Sequence, residues 1–474
     1  MRQRRVAVIG ATGYVGGRLL DRLVDDGFEV AALARTPAKL ASVVAEAEGA
    51  ISVYKADVQD VDSLAEGLEG AEAAFYLVHS LGEGASFVDD DTAGARNFAR
   101  ACERAGVGQI IYLSGLGAEG GDLSEHLSSR HATGDALREG SVPVTELRAA
   151  IVVGSGSASF EIVRDLARKL PVMVAPKWVS SRCEPIGIRD VVSYLVGTLD
   201  EPRTIGQTLD IGCGEVLTYR RMMEICAEEQ GRRCLVITVP VLTPRLSSYW
   251  LHLVTSVDMK IARPLIEGLR NDVVTQDHRI REWIDFEPAD YRTSVSRALD
   301  RELGRTRRES RWTDAGLPAK VRPSVKAFTD SRRFDTALPP EELFRRVSRI
   351  GGGFGYGRTA DILWKLRGLI DRIGGGPGLR RGRPFGGQLH TGDVVDFWRV
   401  VESKEPERLE LVAEMRVPGE ARLVWTIEPT ARGSVLVQTA TLTNESLLSG
   451  IYWYLVAPAH NWVFNRMALH LMSD

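Results

Sequence analysis

Val6-Ala-Val-Ile9-Gly10-Ala-Thr12-Gly13-Tyr14-Val15-Gly16 lies near the amino end of the chain and changes character within eleven residues. Its first four residues are β-branched or small and apolar, with no polar position to mark a wet face, which predicts a parallel strand buried on both sides. Beyond the glycines the period changes. Val15, Leu19 and Leu23 recur four apart, Arg18, Asp21 and Arg22 fall elsewhere, and Gly27 is placed to end the helix so defined. The result is strand, tight turn, helix. In such a turn one glycine lets the backbone bend sharply and a second lets peptide N–H groups approach a pyrophosphate. A third lets helix and strand pack closely, and the helix amino end adds partial positive charge.

A second strand follows from Glu29 to Ala34 and is closed by Arg35. Specificity for NAD wants a carboxylate near the ribose 2′-hydroxyl about 20 residues past the glycines. Arg35, with Lys39 as support, suits a 2′-phosphate instead, so the expected cofactor is NADP. Further strands are expected at Ile51 to Lys55, Ala73 to Val78, Gln109 to Leu113 and Val144 to Val153, with helical segments between them. Strands alternating with helices predict an α/β fold on a doubly wound parallel Rossmann sheet, whose ligand lies beyond the carboxyl ends of the strands. Asp57, His79, Ser80 and Ser114 fall at such ends.

Composition narrows the partners. With 474 residues the chain exceeds what one hydrophobic core serves, so two or three domains are expected. A net charge of -3 gives no reason to expect nucleic acid. Five cysteines without a two-residue-spaced pair, and a first strand beginning close to Met1, fit a reducing cytoplasm rather than export. The chain has no His-Glu-x-x-His, no Gly-x-Ser-x-Gly and no Walker-type lysine, so neither a metal nor those chemistries are expected. Gly450 to Met472 is apolar but interrupted by His460, Asn461, Asn465 and Arg466, which predicts a packed helix rather than a membrane span.

Gly10-Ala-Thr-Gly13-Tyr-Val-Gly16, Lys55-Ala-Asp57-Val, Tyr76-Leu-Val-His79-Ser80 and Tyr112-Leu-Ser114-Gly together resemble the extended and atypical short-chain dehydrogenase/reductases, nearest to the NmrA-like members. The resemblance implies that Gly10, Thr12, Gly13, Tyr14, Val15 and Gly16 hold the pyrophosphate and that Arg35 meets the adenosine phosphate. It puts Asp57 and Val58 at the adenine, and Val78, His79 and Ser80 along the ribose and nicotinamide. Active members usually use a serine with Tyr-x-x-x-Lys. Ser114 matches the serine, but aligning Asp135 with the acid that often follows the lysine puts His131 at the lysine position and Leu127 at the tyrosine position. Hydride delivery to a carbonyl builds an alkoxide that needs a proton or other stabilisation. His131 or His79 could supply it, since imidazole titrates near neutrality; alternatively His131 binds ribose hydroxyls or faces solvent. Two functions stay open: an NADP(H)-dependent oxidoreductase acting on a hydrophobic carbonyl or quinone-like substrate, and a non-catalytic NADP(H)-sensing or ligand-binding protein. Residues 151 to 300 would form the substrate lobe of a domain spanning 1–303, with Arg148, Phe160, Trp178, Tyr249 and Trp250 as candidates for its pocket.

Residues 304–323 are charged and helix-breaking, which predicts a linker. Past it come a strand near Arg332 to Leu338, a helix opened by Pro339-Pro340-Glu341-Glu342, and a second helix from Asp361 to Ile373. Strands around 393–401, 408–415, 422–427 and 435–442 follow, and then the apolar final helix. That order predicts an α+β helix-grip, START-like domain over 324–474 with an apolar ligand. Gly351-Gly-Gly353-Phe-Gly-Tyr356, Leu363-Trp364, Gly392-Asp393-Val-Val-Asp396-Phe-Trp398 and Ala413-Glu414 resemble a bacterial domain of unknown function. Arg-Ile-Gly-Gly-Gly occurs at 349 and again at 372. Arginines 380, 381 and 383 make a phosphate cradle conceivable there, whereas the position of both copies after helices favours glycine helix ends.

Overall fold

The computed structural model describes residues 4–40, 49–78, 85–117, 125–169, 172–239, 271–302, 327–352, 354–357, 393–415, 419–430, 433–443 and 462–472, with a few single positions between them. They fall into two compact units, one holding the described residues up to Leu299 and the other those beyond.

In the first unit β1 (Arg5–Ile9), α1 (Tyr14–Asp25), β2 (Glu29–Ala34), β3 (Ile51–Lys55), α2 (Val61–Leu68), β4 (Ala73–Tyr76), α3 (Ala85–Ala105), β5 (Gln109–Gly115), α4 (Glu125–Arg138) and β6 (Val144–Ala149) follow in order. The two faces of β1 explain its unbroken apolar run. Val6 and Val8 pack with Leu19, Leu20 and Leu23 on one side, while Ala7 and Ile9 pack with Leu64, Leu68 and Phe98 on the other. Gly27, at φ +85, ends α1: its N–H donates to the Val24 carbonyl and that of Phe28 to the Leu23 carbonyl, both at 2.9 Å.

The chain goes on through β7 (Val152–Val153), α5 (Ala158–Lys169), β8 (Val172–Pro176), β9 (Arg182–Cys183), β10 (Ile186–Gly187), α6 (Ile188–Gly197), β11 (Thr208–Ile211), β12 (Leu217–Thr218), α7 (Tyr219–Glu229), β13 (Leu235–Val239), α8 (Arg279–Trp283) and α9 (Tyr291–Glu302). Seven strands form one parallel sheet in the order β11-β6-β5-β4-β1-β2-β3, and the winding reverses between β1 and β4. The single strand expected over 144–153 is two. Leu116 N–H reaches the Ala149 carbonyl at the end of β6, and β7 leaves to pair with β10. A buried carboxylate, Glu184, accepts from Gly214 N–H (2.8 Å), Arg281 (3.0 Å) and Thr275, drawing three segments of this lobe together.

The second unit contains β14 (Ala327–Thr336), α10 (Pro340–Val347), β15 (Val394–Val395), β16 (Trp398–Lys404), β17 (Arg408–Ala413), β18 (Ala421–Thr430), β19 (Gly433–Thr443) and α11 (462–472). Its sheet is antiparallel, in the order β14-β19-β18-β17-β16-β15. Phe344 of α10, Leu411 and Trp425 of the sheet, and Phe464, Met467 and Leu471 of α11 share one core. Gln438 pins α11 to the sheet: it accepts from the Trp425 indole (2.9 Å) and donates to the Phe464 carbonyl (3.2 Å).

The strand expected over 393–401 is broken at Asp396, whose φ of +55 makes a two-residue turn between β15 and β16. Among the described residues no helix is long and apolar enough to cross a membrane, and no cluster of His, Cys, Asp or Glu is placed to hold a metal ion. The expected linker, the second Arg-Ile-Gly-Gly-Gly, arginines 380, 381 and 383, and most of the helix expected over 361–373 and of segment 450–461 lie outside the described residues.

Candidate functional site

Register brings the carboxyl ends of the central strands to one edge: Ile9 pairs with both Leu33 and Tyr76, and Tyr76 pairs with Tyr112. Gly10, Arg35 and Val78 therefore leave the sheet along that edge, at the point where its winding reverses, and Ser114 lies near the same end of β5.

The glycines separate into distinct jobs. Gly10 has φ +86, and a Cβ there would lie 2.7 Å from the Leu77 carbonyl, so only glycine lets β1 turn so close to the chain leaving β4. A Cβ at Gly16 would overlap the Gly10 carbonyl, which fixes how tightly α1 packs on the turn. Gly13 donates to that carbonyl at 2.9 Å and occupies the N-cap of α1, and a Cβ on it would meet only the Gly10 oxygen, at 3.1 Å. No side chain caps this helix end and no acid stands in its first turn. An uncapped amino end beside glycines that keep side chains away fits the pyrophosphate of a dinucleotide. Thr12, Tyr14 and Val15 are half-buried around it.

Arg35 is exposed one residue past β2, and among the described residues it makes no hydrogen bond or ion pair. Asp57 is held by a local turn: its carboxylate accepts Gln59 N–H (3.1 Å), and its backbone N–H donates to Ser63 Oγ (2.9 Å). Val58 is half-buried with its carbonyl bonded to Asn97 (3.0 Å). Val78 is half-buried beside Gly10. His79 and Ser80 lie outside the described residues.

At the end of β5 the Ser114 hydroxyl is buried beside the Tyr112 hydroxyl, and no other partner meets it among the described residues. Nε2 of His131, on α4, is buried without a partner. Tyr112 donates to the Arg130 carbonyl (3.0 Å), and burial pushes its hydroxyl up to about 12. A Cβ on Gly115 would stand 2.7 Å from Leu127 Cδ2, so an apolar side chain lies against the end of β5.

Of the pocket candidates, Phe160 is buried in the core and Arg148 pairs with the buried Glu146 (3.1 Å). Tyr249, Trp250 and the side chain of Trp178 lie outside the described residues. Sequence reasoning passed over Arg18. It is buried, its guanidinium lies 4.1 Å from the Tyr14 ring centroid, and it donates to the Ser155 carbonyl (2.7 Å). The available signal was its spacing of three from Val15, which puts it beside the apolar stripe.

The first Arg-Ile-Gly-Gly-Gly ends a helix, as its position favoured, and the phosphate cradle that was conceivable there is closed by the chain itself. Gly351 and Gly352 take φ +79 and +59 after α10, and Gly351 and Gly355 exchange backbone hydrogen bonds (3.0 and 3.2 Å). Asp396 accepts Gly352 N–H (3.0 Å) and the Tyr356 hydroxyl (2.8 Å), and Asp361 accepts Tyr356 N–H (2.6 Å). Carboxylates already stand where a phosphate would be held, so this copy is a helix-ending loop.

The parallel sheet and its glycine turn make the first unit an NAD(P)-binding domain of the Rossmann type, and sequence comparison agrees. Residues 10–156 match the family described as NAD(P)H-binding, and residues 324–467 match one described as a protein of unknown function (DUF2867). The chain is 29% identical over 246 residues to ceramide reductase of Caulobacter vibrioides, which covers 50% of this chain and 73% of that protein. It is 31% identical over 117 residues to cinnamoyl-CoA reductase 1 of Oryza sativa subsp. japonica, 24% of this chain and only 35% of that relative's length. The NADPH-dependent quinone oxidoreductase of Escherichia coli, solved with NADPH, shares the fold at a TM-score of 0.50 and 18% identity, over 61% of this chain and 98% of that one. These similarities support the short-chain dehydrogenase/reductase and NmrA-like reading of the first unit.

Proposed function

We propose that the chain is a cytoplasmic, NADP(H)-dependent oxidoreductase of the atypical short-chain dehydrogenase/reductase type, acting on a hydrophobic carbonyl or quinone-like substrate. The observation that carries this reading is the Ser114 hydroxyl, buried beside the Tyr112 hydroxyl at the sheet edge that also bears the glycine turn. A buried hydroxyl whose donor capacity is not fully used is favoured to donate to a substrate oxygen. Gly10 to Gly16 would hold the pyrophosphate, Arg35 the 2′-phosphate, Asp57 and Val58 the adenine, and Val78, His79 and Ser80 the ribose and nicotinamide. The bound cofactor supplies the hydride. Ser114 Oγ donates to the substrate oxygen as negative charge grows on it. His131 either delivers the proton or holds the ribose. Leu127, on α4 against the end of β5, offers no proton, which favours a quinone, because its reduced oxygen is far less basic than an alkoxide.

The second unit we read as a START-like helix-grip domain over 324–474 for an apolar or amphipathic ligand, joined through a linker at 304–323 to a domain of 1–303. Its support is the strand order, with first beside last, and α11 laid on the core face of the sheet.

The test is NADPH consumption against a panel of quinones and aldehydes. Quinones are expected to turn over faster, and Ser114→Ala to lower kcat by about 100-fold, the usual loss for one oxyanion donor. The apolar Leu127 also favours a second reading, a non-catalytic NADP(H) sensor. Micromolar NADPH affinity without turnover on any acceptor would decide for it.

A further inference from the structure

Helix α1 reaches beyond the glycine turn to the loop that begins the second lobe, through one buried cation. Arg18 is 7% exposed. It sits in the first half of α1, where the helix dipole opposes positive charge, so its burial needs local compensation. Its guanidinium lies over the Tyr14 ring (4.1 Å), donates to the Tyr14 carbonyl (3.0 Å) and donates to the Ser155 carbonyl (2.7 Å).

The loop is shaped to receive this contact. A Cβ on Gly154 would fall on the Tyr14 hydroxyl and on Ile188 Cγ2, so the backbone at 154 approaches as closely as glycine allows. Gly156 takes φ +80. Ser157 N–H returns to the Gly154 carbonyl (3.1 Å), its hydroxyl donates to the Val152 carbonyl (2.8 Å), and its own carbonyl accepts Glu161 N–H (2.9 Å) at the start of α5. These hydrogen bonds connect the loop at 154–157 to the start of α5.

We propose that Arg18 is a positioning residue: it locks the 154–157 loop to the dinucleotide turn, so that filling the turn with cofactor orders the entry to the second lobe. The contact is specific to a guanidinium. Its planar fork can lie on the ring and reach both carbonyls, whereas an ammonium on a lysine stem holds one at a time. Tyr14 is the shared element, because its backbone belongs to the cofactor turn and its ring and hydroxyl belong to the loop contact. The inference rests on the cofactor reading given above.

The experiment is amide hydrogen exchange on the full chain with and without NADPH, beside a fluorescence titration for NADPH affinity. In the unaltered protein NADPH is expected to slow exchange over 155–161 by 10-fold or more. Arg18→Ala should lose most of that protection while its NADPH affinity changes less than 3-fold, and Arg18→Lys should restore less than half of it. Gly154→Ala, which pushes the loop off Tyr14 with Arg18 intact, should reproduce the loss and covers the case in which Arg18→Ala does not fold. Full protection in either Arg18→Ala or Gly154→Ala overturns the proposal. So does a loss of NADPH affinity in Arg18→Ala in proportion to the lost protection, which marks a merely structural role. Binding of NADPH to the unaltered protein without protection of 155–161 defeats this inference alone; absence of NADPH binding defeats the cofactor reading beneath it.

Discussion

Two glycine-rich turns in this chain follow opposite courses. At Gly10–Gly16 the glycines come before a helix, and the peptide N–H groups at its amino end carry no side-chain cap. At Gly351–Gly355 they come after one, and the loop's N–H groups are taken by Asp396, Asp361 and its own backbone. Glycine alone therefore does not make an anion site. What matters is which end of a helix it adjoins, and whether the fold has already supplied an acceptor.

The sharpest break in that contrast is expected from placing a side chain in the first turn. Gly13→Val should weaken NADPH binding by at least about 100-fold, or some 2.7 kcal/mol, because a Cβ there crowds only the Gly10 oxygen, at 3.1 Å, while the side chain would stand in the anion's approach. Fluorescence titration reads the affinity and a thermal melt confirms the fold. In the second turn, Asp396→Ala should leave NADPH binding untouched and cost about 2–4 kcal/mol of stability. It strands the buried Tyr356 hydroxyl, removes the acceptor of the Gly352 N–H and puts alanine at φ +55. A denaturant midpoint measures it. Equal effects of both substitutions on NADPH binding would erase the distinction.

Arg35→Ala tests whether the cofactor is told apart beside the first turn. NADPH affinity should fall about 10-fold and NADH affinity stay within a factor of two, since only the 2′-phosphate would lose a charge-assisted partner. The smallest effect lies in acid. Burial alone would raise the Glu410 carboxyl, but Arg408 and Arg422 outweigh it and hold it below the ordinary glutamate value. A carboxyl lowered in the folded state stabilises above its unfolded value and loses that contribution as pH falls through its folded value. The denaturant midpoint should therefore drop on the acid side of the ordinary glutamate range, and Glu410→Gln should flatten that drop.

Several elements were readable because their cause is local. The strand ending at Ile9, the helix from Tyr14, and the Gly27 stop all follow from a period or a φ requirement contained in a few residues. The Pro339-Pro340 helix start is of the same kind. The break at Asp396 was not readable, because a positive φ at an aspartate is decided by what its carboxylate reaches, Gly352 and Tyr356, some 40 residues away. The division of strand 144–153 likewise depends on the partner β10 offers. In the candidate site Gly10, Arg35, Asp57 and Ser114 could be picked out as strand ends. The burial of the Ser114 hydroxyl and the Arg18 contact with Ser155 depend on segments that meet only when the sheet closes.

By itself the sequence determined the order of strands and helices, the positions where only glycine is tolerated, and the absence of a tyrosine at position 127. Each of these is a property of residues close together in the chain. Tertiary structure alone decided which glycine turn stays open and which polar atoms are left without partners. It also decided which buried cation ties the cofactor turn to the next lobe. Those outcomes depend on distances between segments remote in sequence, and they are fixed only when apolar burial draws the segments together and each buried polar group must find an acceptor or go without.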